Sequence, residues 1–133
     1  MPTFRYNKLV RDKIARFHIE AGHEPDHEYL KDRKLLDALC RKLHEEADEV
    51  NGALDLEELV EEIADVQQII DDICAVSGIE KMDIENVRSK KEQKKGGFKK
   101  GVYIKTVHMP NEDDEWVEYC RRDPKKYLEI EDK

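Results

Sequence analysis

Between Asp32 and Gly78 the chain sets apolar residues among charged ones on a helical beat. Leu36, Leu39, Cys40, Leu43, Ala47 and Val50 recur at three- and four-residue intervals, the spacing of one stripe on a helix. Asp32 is placed to cap this helix, which runs to about Asn51-Gly52. A second stripe, Leu56, Leu59, Val60, Ile63, Val66, Ile69, Ile70 and Ile73, follows a capping Asp55 and stops at Gly78. Two long helices with so short a connection form an antiparallel hairpin.

Around the hairpin the pattern thins. Residues 7 to 21 read as a helix with Leu9, Val10, Ile14 and Phe17 on one side and Gly22 as its stop. Pro25 marks the stretch from Gly22 to Leu30 as a loop. Asp83 is placed to cap a further helix that runs to about Lys95 and ends at Gly96-Gly97. Residues 102–107 alternate loosely and suggest a short extended segment. An acidic tail from about residue 108 suggests a short helix around Trp116, Val117 and Cys120. With no internal repeat, residues 1–133 read as one all-α domain.

Composition changes this picture in one respect. Hydrophobic residues are 38% of the chain and charged ones 42%, so a single subunit can bury only a thin core. The apolar faces are therefore expected to be covered in a homo-oligomer, a dimer or tetramer whose hairpins complete a four-helix bundle. No apolar run is long enough for a membrane span, and the N-terminus lacks the apolar core of a signal peptide. Cys40, Cys74 and Cys120 show no CxxC pairing, and the first two lie on apolar stripes, as reduced packing cysteines do. The chain reads as cytoplasmic and not membrane-bound. Its net charge of −8 excludes a general nucleic-acid binder.

The charge is unevenly spread, and its distribution carries the chemistry. Glu45-Glu46-Ala47-Asp48-Glu49 lies on the first hairpin helix and Glu62-Ile63-Ala64-Asp65 on the second. Residues three apart are neighbours on a helix, so Glu46 pairs with Glu49 and Glu62 with Asp65. Both pairs sit about equally far from the turn and can converge. Glu62 projects between Val66 and Ile69, inside the apolar arc, and Glu46 falls on the margin of the other stripe. Acids are seldom buried unless paired or bound to metal, and Mg²⁺ takes oxygen ligands while keeping several waters. Seven bases lie between Arg88 and Lys100, among them Lys91 and Lys95 on one face before Gly96-Gly97. Cations beside a pair of glycines suit phosphate oxygens. A carboxylate cluster plus a basic run fits a metal-bound polyphosphate. The histidines form no ligand pattern: His23 and His27 are four apart, but Pro25 between them opposes a helical zinc site.

EExxE, twelve residues, then ExxD resembles the signature of the all-α nucleoside triphosphate pyrophosphohydrolases, the MazG-like and phosphoribosyl-ATP pyrophosphohydrolase superfamily. Tyr6-Asn7-Lys8-Leu9-Val10-Arg11-Asp12-Lys13-Ile14 is similar to the opening of the phosphoribosyl-ATP pyrophosphohydrolase-like branch, and Lys91-Glu92-Gln93-Lys94-Lys95-Gly96-Gly97-Phe98 to its KxxxRGGF segment. The resemblance spans residues 6 to about 105. It implies hydrolysis of a nucleotide between the α and β phosphates, releasing a monophosphate and pyrophosphate. It also implies Mg²⁺ (or Mn²⁺) on Glu46, Glu49, Glu62 and Asp65, phosphate binding by Lys91 and Lys95, and Glu45 or a ligating acid orienting the attacking water. Lys95 stands where that branch has arginine and cannot make a two-pronged contact. A house-cleaning nucleotide pyrophosphohydrolase is the first expectation. A phosphoribosyl-ATP pyrophosphohydrolase of histidine biosynthesis is the second, and a non-catalytic nucleotide-sensing or partner-binding helical module the third.

Overall fold

In the computed structural model, which describes residues 1–131, the chain forms five helices and no strand among those residues. Its centre is the expected hairpin of α2 (Asp32–Gly52) and α3 (Leu56–Val76), joined by three residues. Each helix has 21 residues, about 30 Å of length. Ala38 and Leu39 of α2 and Ile69 and Cys74 of α3 are buried, with Leu36, Leu43, Val50, Leu59, Val66 and Ile73 half-buried around them. Removing a Leu or Ile side chain from water is worth about 1.5–3 kcal/mol, so these few contacts hold the hairpin.

Local chemistry fixes both ends of α3. The Asp55 carboxylate accepts from the Glu58 amide at 2.8 Å, and the Glu58 side chain reaches back to the Leu54 amide at 2.9 Å. Two otherwise unpaired donors at the helix start are thereby satisfied. At the other end Gly78 takes φ 71°, which lets the Ile79 amide bond to the Cys74 carbonyl at 2.9 Å. A residue with a Cβ is strained in that conformation.

Several expectations are corrected. The first helix, α1, covers only Ile14–Glu20 rather than residues 7 to 21. Asn7 adopts φ 44°, which cannot continue a helix, and residues 7–13 run as an irregular segment. Asp32 does not cap α2: it is the first helical residue, at φ 54°, and Lys31 occupies the cap position without a side-chain hydrogen bond. Nor does Asp83 cap α4 (Lys81–Lys95), which begins two residues earlier and carries Asp83 in its first turn. Residues 102–107 form neither helix nor strand. Cys40 and Ala47 are exposed, because the apolar stripe of α2 is wider than the face α3 covers.

Among the helices of residues 1–95, only α2 and α3 pack extensively on each other. α4 has no buried residue, and Met82, Ile84 and Val87 are exposed on it. Val60, Ile63 and Ile70 of α3 are exposed as well.

The described residues divide into two compact units, 1–95 and 96–131. The second is built on α5 (Glu115–Arg121), where a short helix was expected. Asp114 caps it, accepting from the Trp116 amide at 2.9 Å. Val117 is buried, and Arg121 clamps Glu112 at 2.9 Å and Glu129 at 2.7 Å. That pairing holds the Glu112 carboxyl below the usual glutamate range.

Candidate functional site

The 3.6-residue repeat puts Glu46 on the α2 face that meets α3, and Glu62 and Asp65 one turn apart on the facing side of α3. Carboxylate oxygens of Glu46, Glu62 and Asp65 all lie within 4.8 Å of one another. Glu46 is the one buried charged residue among those described, at 8% exposure. The sequence points to Glu62 as the more enclosed acid, yet Glu62 and Asp65 are only half-buried. Lys42, one turn before Glu46, makes its burial tolerable: its Nζ lies 3.5 Å from Glu46 and donates to Glu45 at 3.2 Å.

Glu49 is not among the three that meet most closely. It lines, with Glu62, an open hollow of about 650 Å³ at the turn of the hairpin. Glu45, Asp48, Glu58 and Glu61 complete an acidic wall, with Gly52 and Ala53 at the turn itself. Partial burial pushes the Glu62 carboxyl above the ordinary glutamate value, and the charges of Glu49, Asp65, Glu46 and Glu61 push it further in the same direction. Among the described residues no base lines this hollow. A polyphosphate would be repelled from it unless cations first neutralised the acids.

The donor set suits a hard divalent cation. Three carboxylates spaced for one ion, with a fourth adjacent, leave room for the waters that Mg²⁺ retains. There is no thiol or imidazole in the group, so it does not match a zinc site.

Lys91 and Lys95 are not brought to the acids within one chain. Both are exposed on α4, which makes no extensive contact with α2 or α3, and neither forms an ion pair among the described residues. Three other cations stand at the site instead. Arg11 donates through Nη2 to Asp65 Oδ1 at 2.5 Å, Lys8 Nζ lies 3.7 Å from Glu45, and Lys42 bridges Glu45 and Glu46. No role for them follows from the sequence patterns above. Lys42 had a local signal, standing three and four residues before two site acids on one helix. Arg11, like Lys8, lies in the Tyr6–Ile14 segment that carries the resemblance, but nothing in the spacing ties it to Asp65, 54 positions away. Comparison of the chain with protein-family models, with curated proteins and with solved structures finds no match.

Proposed function

We propose that this protein is a Mg²⁺-dependent nucleotide pyrophosphohydrolase that cleaves the α–β phosphoanhydride to a nucleoside monophosphate and pyrophosphate. The observation that carries this reading is the meeting of Glu46, Glu62 and Asp65 oxygens within 4.8 Å on a helical hairpin, beside a hollow walled by acids. Mutually repelling carboxylates in a half-buried position are costly for a fold, and a bound cation offsets that cost.

In this reading Glu46, Glu62 and Asp65 hold the cation, with Glu49 adjacent. Mg²⁺, when bound, supplies charge neutralisation of the polyphosphate and lowers the pKa of a water. Glu45, ion-paired to Lys42 and near Lys8, accepts a hydrogen bond from the attacking water and orients it toward phosphorus. Fixed positioning and charge stabilisation account for most of the acceleration. Lys91 and Lys95 bind phosphate oxygens and reach the acids from α4 of a second copy. The exposed Val60, Ile63 and Ile70 of α3 and Met82, Ile84 and Val87 of α4 support such an oligomer, because one chain leaves them uncovered.

A pyrophosphate-release screen over a nucleotide panel that includes phosphoribosyl-ATP, with and without Mg²⁺, tests the reading. Mg²⁺-dependent release of pyrophosphate and a monophosphate is expected. Release of orthophosphate alone, or no turnover of any nucleotide, would overturn it.

A further inference from the structure

The N-terminal segment brings a second kind of chemistry to the acid hairpin. Asn7, in a left-handed turn, precedes Lys8 and Arg11, which reach acids on two different helices: Glu45 of α2 and Asp65 of α3. Leu9 and Val10 between them are half-buried and anchor the segment. Arg11 offers five N–H donors in a planar fork. Its Nη2 alone is engaged, on Asp65, and the side chain is 60% exposed.

Asp65 is also one of the three acids whose oxygens converge. A cation that takes Asp65 as a ligand competes with Arg11 for that carboxylate, and a released guanidinium beside a polyphosphate has the geometry to grip it with two N–H groups. Among the described residues Arg11 is the one arginine paired with these acids, and the cations of α4 nearest Gly96, Lys90, Lys91, Lys94 and Lys95, are all lysines, which act as point charges. We propose that Arg11 is a substrate-binding residue of this site. It holds Asp65 until a divalent cation takes that carboxylate, then transfers its hydrogen bonds to a phosphoryl oxygen of the substrate, with Lys8 beside it.

This inference rests on the pyrophosphohydrolase reading, and the test separates the two. Mn²⁺ binding, followed by electron paramagnetic resonance, and tripolyphosphate binding at saturating Mn²⁺, followed by calorimetry, are measured on the full chain and on Arg11→Ala and Arg11→Lys. Arg11→Ala should bind Mn²⁺ several-fold more tightly, having lost a competitor for Asp65. It should bind tripolyphosphate about 10- to 100-fold more weakly, the worth of a pair of charge-assisted hydrogen bonds. Arg11→Lys keeps a charge for Asp65 and should show an intermediate loss, which keeps the test decisive should the alanine variant fail to fold. A residue that merely pins the N-terminal segment would lower thermal stability and leave both affinities unmoved. If the wild type binds Mn²⁺ and cleaves nucleotide while both variants bind tripolyphosphate as it does, the Arg11 inference alone falls. If the wild type neither binds Mn²⁺ nor turns over nucleotide, the function reading falls and takes this inference with it.

Discussion

Glu62→Gln is the substitution that asks most of the acid site. It keeps the side-chain shape and removes one of the three charges that meet within 4.8 Å. In Mg²⁺-free buffer the loss should stabilise the protein. The carboxyl of Glu62 is raised above its ordinary value of 4.5, first by partial burial and then by the neighbouring acids. A raised folded-state value means that the folded chain holds the proton more tightly than the unfolded one. The stability linked to that proton is full below 4.5 and is lost as pH rises through the folded value. Wild type and Glu62→Gln should therefore melt alike at acid pH and diverge upward from there, with the variant the more stable. Mg²⁺ should reverse the order. At 100 times its Kd, free Mg²⁺ adds about 2.7 kcal/mol to a protein that binds it only when folded. For a domain of this size that is about 8–16 °C in Tm. Disturbing the surroundings of a metal weakens affinity about 10- to 100-fold, and a lost ligand does at least as much. A site weakened 100-fold would gain only about 0.4 kcal/mol at the same Mg²⁺, about 1–2 °C. Thermal melts across pH, with and without Mg²⁺, run beside the pyrophosphate assay, give all of these readings. A variant that hydrolyses nucleotide at the wild-type rate and keeps the full Mg²⁺ shift would refute the reasoning.

Lys91→Ala should weaken turnover at low substrate about tenfold or more and leave Mn²⁺ affinity unchanged, which steady-state kinetics and metal titration would show. Sedimentation at micromolar concentration should find a dimer or larger, and Ile63→Glu, which charges an exposed apolar position of α3, should shift it toward monomer. A stable, folded wild-type monomer would count against the oligomer. Asp55→Ala should cost about 1 kcal/mol in denaturant unfolding, the usual worth of a helix cap. Glu112 is held low by Arg121, so the stability linked to it is present above 4.5 and lost as pH falls through the folded value. Fluorescence of the sole tryptophan, Trp116 in the same unit, should report that acid transition, and Arg121→Met should remove the part of it due to Glu112.

The hairpin was legible because its signals are local and agree with one another. Asp55 and Gly78 mark the ends of α3, and the apolar repeat of each helix selects the face that carries the acids. The N-terminal segment was not legible. Leu9, Val10, Ile14 and Phe17 fit a helical period, but Asn7 sits in the left-handed region and Lys8 and Arg11 find partners far along the chain. Spacing carries no information about such pairs. The exposure of Cys40 escaped for a related reason: a stripe shows which face of α2 is apolar and not how much of it a neighbour covers.

The three acids that converge all lie between residues 46 and 65, a short span bent at one three-residue turn. Contacts this near in sequence close small loops and form early, on the fast side of folding. The hairpin therefore gathers its own repelling charges before Arg11, from the far end of the chain, can reach Asp65. Early repulsion of this kind raises the barrier to zipping the helices together, and a divalent cation present in the refolding buffer lowers it. Refolding from denaturant should then run faster with Mg²⁺ than without, by a factor that shrinks in Glu62→Gln.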